Sequence, residues 1–133
     1  MGCMDGIAVP ISPGELLDKI TILRIKAARI EDAAKLGNVR RELALLEQLW
    51  RQSVAAPAEL AGDEAALERV NTRLWDIEDR IREHEARHSF DSSFIELARA
   101  VYLNNDERAA IKRRINTQLG SRLIEEKSYK QYR

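Results

Sequence analysis

The sequence predicts an all-α protein, a bundle of about five helices built from antiparallel helical hairpins, with a short extended lead-in at its N-terminus. Apolar residues recur at steps of three and four, most clearly at Leu67, Val70, Leu74, Ile77 and Ile81, which is the spacing of one helical face. One third of the 133 residues are charged, and the mixed signs are typical of solvated helix faces. The length predicts a single domain, residues 1–133.

The first segments combine an extended lead-in with a well-marked helix start. Ile7 and Val9 alternate with other residues over positions 1–11, which suits extended chain. Ser12 can cap a helix whose first position is Pro13. This first helix is predicted to run to about residue 35. Because it is apolar over most of its circumference, we expect it to be central, with neighbours on several sides.

A second helix is predicted from residue 39 to about residue 52. Gly37 and Asn38 break the first helix, and the Asn38 side chain can cap the second one. The short connection predicts an antiparallel hairpin. Residues 53–63 then form a longer connection, in which Pro57 prevents a continuous helix.

The second half of the chain is predicted to hold three helices. Asp63 can cap a long third helix over residues 64–88, and Asp91 or Ser92 can start a fourth. The polar residues 104–106 either interrupt the fourth helix or cap a fifth, which ends before Gly120. Residues 121–133 form a polar C-terminal tail.

Charge and cysteine content limit the classes of partner and compartment. Lys plus Arg and Asp plus Glu number 22 each, and a chain with no positive surplus is a poor candidate for binding nucleic acid. Cys3 is the single cysteine, so a reducing compartment is expected. With no leader-like segment and no apolar run of bilayer length, we expect a soluble cytoplasmic protein without a membrane partner. No cofactor is predicted.

Five blocks of sequence resemble an uncharacterised family of small bacterial proteins, a domain of unknown function. The resemblance runs from about residue 9 to residue 129 and rests on residues 14–23, 74–82, 94–102, 105–113 and 125–129. It implies a soluble, single-domain helical protein. It assigns no catalytic residues.

The one sharp chemical motif is His84-Glu85-Ala86-Arg87-His88. Two His residues four apart on one helix can share a zinc ion, with the intervening Glu as general base. The alternative is that His84 and His88 are ordinary helix-end histidines, which commonly bind open carbonyls. We favour the second interpretation, so no metal site is predicted and His84 and His88 remain weak metal candidates.

Two sets of polar residues could form a site for a small anion. One is a stripe beside the apolar face of the third helix, and the other is a cluster at the predicted junction between the fourth and fifth helices. A partly buried Glu78 would need a cation, which Lys19, Arg24, Arg108 or Lys112 could supply. The structural alternative is an ion pair that fixes helix register, with polar caps at the junction. The candidate ligand-binding residues are Trp75, Glu78, Tyr102, Asn105, Arg108 and Lys112.

These patterns favour a non-enzymatic helical interaction module that self-associates or binds a protein partner. The broad apolar surface of the first helix and the continuous apolar face of the third support this hypothesis. The alternative is a small anionic-ligand-binding protein or enzyme with a polar pocket inside the bundle, formed by Glu78, Arg108 and Lys112. A zinc hydrolase acting through residues 84–88 is a remote alternative.

Overall fold

The computed structural model describes residues 2–55 and 57–132. These ranges fold into four α-helices and contain no β-strand. The all-α prediction is confirmed, but the described residues form four α-helices rather than five. A short 3₁₀ helix, Pro57–Leu60, precedes the third. The helices are α1 Pro13–Arg29, α2 Ala33–Ser53, α3 Ala61–Ala86 and α4 Ser92–Gln118.

Two helix starts follow the side-chain caps that the sequence indicates. The hydroxyl of Ser12 accepts a hydrogen bond from the backbone N–H of Glu15 at 3.2 Å. At the start of α4, the Asp91 carboxylate accepts from the N–H of Phe94 at 3.1 Å. Each cap satisfies a backbone donor that has no partner within its helix.

The boundary between the first two helices lies earlier than predicted. The backbone is extended at Ile30, and the Asp32 carboxylate accepts from the N–H of Lys35 at 2.9 Å. Asp32 therefore caps α2, and α1 does not continue to residue 35. Gly37 and Asn38 lie inside α2, so the predicted break and the Asn38 cap are wrong. An exposed glycine within a helix costs only about 1 kcal/mol, which the rest of the helix can offset.

The third helix is also displaced from its predicted bounds. It begins at Ala61, so Asp63 lies in its first turn, where the Asp63 carboxylate pairs with Arg114 at 3.1 Å. It ends at Ala86, and His88 lies beyond the helix with a positive φ of 51°.

The predicted interruption at residues 104–106 does not occur. The Asn104 side chain donates to the carbonyl of Ala100, one turn earlier, at 2.8 Å. Its oxygen accepts from Arg73 on α3 at 2.9 Å. Because these two hydrogen bonds satisfy the Asn104 amide, α4 continues through residues 104–106 as one helix.

The central helix is α1, which contacts each of the other three helices. One apolar cluster fills the space between them, and most of its members lie on α1, α3 and α4. The cluster consists of Leu16, Leu17, Ile20, Trp50, Val54, Leu60, Leu67, Val70, Ile111 and Ile115.

The start of α1 lies unusually close to the end of α4. The N–H of Gly14 donates to the side-chain oxygen of the buried Asn116 at 2.7 Å. A Cβ atom at position 14 would lie 2.6 Å from the carbonyl oxygen of Lys112. Only glycine fits at position 14 without moving one of the two helices.

The α3/α4 hairpin continues beyond this core. Between positions 78 and 110 only His84 is buried. Ile81, Phe94 and Leu97 are half-buried along the seam, whereas Phe90 and Ile95 are exposed. In the described part of the chain, the stretch from residue 80 to residue 99, which we call the bare half of the hairpin, is therefore two helices without a third layer. Over residues 2–55 and 57–132, none of the helices has the length and apolar composition needed to cross a bilayer.

Candidate functional site

A groove of about 530 Å³ opens between α1, α3 and α4. Its apolar wall is formed by Ile22, Ile25, Leu74 and Trp75, and its amide groups belong to Asn71 and Asn105. The volume falls within the range of small-molecule sites, which combine apolar walls with a few placed polar groups. Its charged residues are Lys26, Glu78, Asp79, Arg82 and Arg108.

Arg108 is held at the groove by a buried hydrogen-bond network. Its guanidinium donates to the Asn71 side-chain oxygen at 3.4 Å. The Asn71 amide nitrogen donates to the Asp18 carboxylate at 2.8 Å and to the Thr21 hydroxyl at 3.0 Å. Thr21 in turn donates to the carbonyl of Asp18 at 2.8 Å. Because these bonds use both ends of the Asn71 amide, its orientation is defined, and its oxygen faces the Arg108 guanidinium.

The groove contains two cations, Lys26 and Arg108, that have no acidic partner among the described residues. Neither Lys26 nor Arg108 makes an ion pair with an acidic residue of the described part of the chain. Glu78 pairs instead with Arg82, one turn along α3, at 2.6 Å. Asp79 is the remaining acid, so the lining carries a net charge of +1 from three cations and two acids.

The structure brings four of the six predicted ligand-binding residues together, namely Trp75, Glu78, Asn105 and Arg108. Lys112 does not line this groove, and Tyr102 lies at a different cavity. Sequence reasoning missed Lys26, Asp79 and Arg82. Lys26 lies one helical turn after Ile22 and shares its face of α1. The sequence does not show that this face lies beside both α3 and α4, so Lys26 could not be assigned to the site.

The buried ammonium of Lys112 is surrounded by three acidic residues. Its ammonium contacts Glu15 and Glu125 at 2.7 Å each and Asp18 at 4.0 Å. Burial alone would lower the pKa of Lys112, but the hydrogen bonds to Glu125 and Glu15 and the charge of Asp18 outweigh it and raise that pKa. Lys112 is therefore charged and fully occupied by protein carboxylates.

The C-terminal tail, residues 121–132, returns along α4. Glu125 contacts Lys112, and the Tyr132 hydroxyl donates to Asp106 nearer the middle of α4. The rings of Tyr102 and Tyr132 meet edge to face, with centroids 5.0 Å apart. The tail thus closes a second cavity of about 500 Å³, the tail cleft. Its lining is Tyr102, Asn105, Asp106, Arg108, Lys127, Tyr129, Lys130 and Tyr132.

The Glu125 contact makes tail docking sensitive to pH. Hydrogen bonds from Lys112 and Lys127 lower the pKa of Glu125 from 4.5 to about 2. Because the folded-state pKa lies below the unfolded value, this stabilisation is present above pH 4.5 and is lost as the pH falls towards 2. The Glu125 side chain is 40% exposed, so we expect about 1 to 2 kcal/mol after solvent screening.

NMR spectra can follow this transition through the backbone amides of residues 122–132. These resonances should move to coil positions between pH 4.5 and pH 2, while the amides of α1 keep their native positions. Glu125→Gln should release the tail at neutral pH. Tail resonances that stay at their native positions in both experiments would contradict the assigned role of Glu125.

His84 and His88 are arranged differently from the zinc motif. The His84 ring nitrogen Nδ1 lies 2.8 Å from the carbonyl oxygen of Ser89, and the ring lies 6.0 Å from that of Phe94. His84 therefore secures the turn between α3 and α4. His88 is exposed beyond the end of the helix, so the two imidazoles do not share one helical face as the motif requires.

The described residues thus form an all-α, four-helix protein. Between three of its helices lies a groove with an apolar wall and several charged residues. In the part of the chain that the structure describes, no group of three or more His, Cys, Asp or Glu side chains could hold a metal ion. The chain belongs to a family of unknown function, DUF6165, whose model matches residues 7–132. The resemblance seen in the sequence is thereby confirmed. Comparison with curated proteins and with solved structures gives no match.

Proposed function

We propose that this protein binds a small organic anion in the groove between α1, α3 and α4. The ligand is a carboxylate or phosphate attached to an apolar ring. The observation that carries the proposal is the presence of Lys26 and Arg108, two cations without an acidic partner among the described residues, in a groove walled by Trp75. Most other buried or half-buried cations near the core, such as Lys112 and Arg24, contact carboxylates.

Each part of the groove matches one part of such a ligand. Arg108 can bind a carboxylate or phosphate through two parallel N–H donors. The Trp75 indole offers a flat surface for a ring. Because Asn71 already holds Arg108, little side-chain freedom is lost on binding, which favours affinity.

The proposal is tested by titrating the protein with a panel of ring-bearing carboxylates and phosphates and with their neutral analogues. The anionic members should bind and change Trp75 fluorescence, and the neutral analogues should not. Arg108→Ala should weaken binding by about 10- to 100-fold, the value of a hydrogen-bonded charge. Isothermal calorimetry gives the dissociation constants.

Matched variants separate binding from stability. Arg99→Ala removes an exposed arginine from the same helix and should leave affinity unchanged. Trp75→Phe should abolish the fluorescence response. A panel in which no anion binds, or equal affinities for Arg108→Ala and Arg99→Ala, would refute the proposal.

The bare half of the α3/α4 hairpin favours a second candidate function, the self-association predicted from the sequence. Phe90 and Ile95 are 52% and 56% exposed there, beside a half-buried apolar seam. Residues 80–99 carry four Arg and four Asp or Glu, so two copies of this segment do not repel each other. We propose a second copy of this chain as the occupant, forming a four-helix interface between two hairpins.

Light scattering over a concentration series tests self-association. The unaltered protein should form a dimer, and Ile95→Lys should shift it towards the monomer. Leu45→Lys, which changes an equally exposed apolar residue on α2, is the matched control and should keep the dimer. A monomer at every concentration would contradict this candidate.

A further inference from the structure

The groove and the tail cleft share one border. Asn105 and Arg108 line both cavities. A molecule whose anionic group reaches Arg108 from the groove is therefore at the entrance of the tail cleft. The two cavities have similar volumes, about 530 and 500 Å³, so together they can accept a ligand larger than either holds alone.

The tail cleft carries an excess of positive charge. Arg108, Lys127 and Lys130 line it, and Asp106 is its one acidic lining residue. The Tyr132 hydroxyl donates a hydrogen bond to that carboxylate, which reduces its repulsion of an incoming anion. Lys127 contacts Glu125 at 3.0 Å, whereas Lys130 makes no ion pair with any residue of 2–55 or 57–132.

The tail is attached strongly enough to serve as one wall of a site. Lys112, itself buried among the helices, holds Glu125 at 2.7 Å. Arg113 adds a contact to Glu126 at 3.4 Å. These contacts fix the chain just before Lys127, and the Tyr132 bond to Asp106 fixes it just after Lys130.

We propose that the tail cleft is the second half of the ligand site, and that the ligand therefore combines an aromatic ring with two linked anionic groups. A nucleoside diphosphate has this chemistry. Its ring would lie against Trp75, its first phosphate at Arg108 and its terminal phosphate between Lys127 and Lys130. This inference rests on the proposed function and extends it to a substrate class.

The test compares adenosine monophosphate with adenosine diphosphate by calorimetry on the chain of residues 1–133, in a chelating buffer so that metal ions do not contribute. The diphosphate should bind at least fivefold more tightly than the monophosphate. Lys130→Ala should reduce this difference and leave monophosphate affinity unchanged. Because Lys130 is exposed, the variant should fold normally. Arg122→Ala, an exposed tail residue outside the cleft, is the control and should change neither affinity.

The possible results distinguish the two proposals. Equal affinities for both nucleotides, or an unchanged preference in Lys130→Ala, would overturn the two-anion inference and leave anion binding in the groove intact. Failure of both nucleotides while a ring-bearing monoanion of the panel binds through Arg108 would also overturn the inference alone. Failure of every anion would overturn both.

Discussion

Gly14→Ala should destabilise the protein by about 2 to 3 kcal/mol, the range for overpacking a closely fitted core site. The added Cβ would lie 2.6 Å from the Lys112 carbonyl oxygen and 2.9 Å from the Asn116 side-chain oxygen. Neither is the end of a flexible side chain, since the first is backbone and Asn116 is buried. The start of α1 would have to move away from α4, which would also weaken the bond between Gly14 and Asn116. Urea denaturation measures the change in the free energy of unfolding.

The control is the same substitution at an open position. Gly37 lies on the exposed surface of α2, and a Cβ atom added there would have no neighbouring atom within 4 Å. Gly37→Ala should therefore stabilise the protein by about 0.5 to 1 kcal/mol, because alanine is the better helix former. Opposite signs for the two variants are the expected result. If Gly14→Ala were as stable as the unaltered protein, the space between α1 and α4 at position 14 would be large enough for a Cβ atom, which would contradict the close approach of the two helices.

Lys112→Met should cost about 3 kcal/mol. The variant keeps most of the side-chain volume but leaves the buried Asp18 without its cation and Glu15 with only its longer contact to Lys19. Removing one partner of a buried ion pair is strongly destabilising. The contact that holds Glu125 is lost as well, so the tail should also leave α4. Denaturation measures the first effect, and the amide resonances of residues 122–132 report the second.

Lys19→Met is a matched control, since Lys19 also pairs with Glu15. That contact is longer, at 3.8 Å, and the Lys19 side chain is 51% exposed. Surface pairs of this kind contribute little, so we expect a change of less than about 0.5 kcal/mol. If Lys112→Met and Lys19→Met were equally stable, the contacts of Lys112 with its three carboxylates would not stabilise the fold as we infer.

The fold class and the starts of α1 and α4 could be predicted because they depend on local chemistry. Ser12 and Asp91 cap helices through residues three positions away. The errors arose where a polar segment had several possible partners. Asn104 resembles a helix cap in the sequence, but its partners are Ala100 and Arg73, and the second of these is distant in the sequence. Gly37 resembles a break, yet Asp32 supplies a better start for α2.

The candidate site was predictable where one helix determined it. Trp75 and Glu78 share a face of α3, and Asn105 and Arg108 share a face of α4, so each pair could be found from spacing. Lys112 lies one turn beyond Arg108, but the return of the tail places Glu125 against it. The tail has no regular secondary structure, so its sequence contains no periodic pattern from which the contact between Glu125 and Lys112 could be predicted.

The bare half of the α3/α4 hairpin has a consequence for how the molecule opens. A helix whose outer turns lack a third layer unfolds locally at a lower free energy than the turns that lie in the core. Amide protons near Leu97 should therefore exchange with solvent much sooner than those near Ile115, although one uninterrupted helix contains both. Thermal opening would begin at the turn secured by His84 and advance towards Ile77 and Ile111, the first buried apolar residues on the two helices.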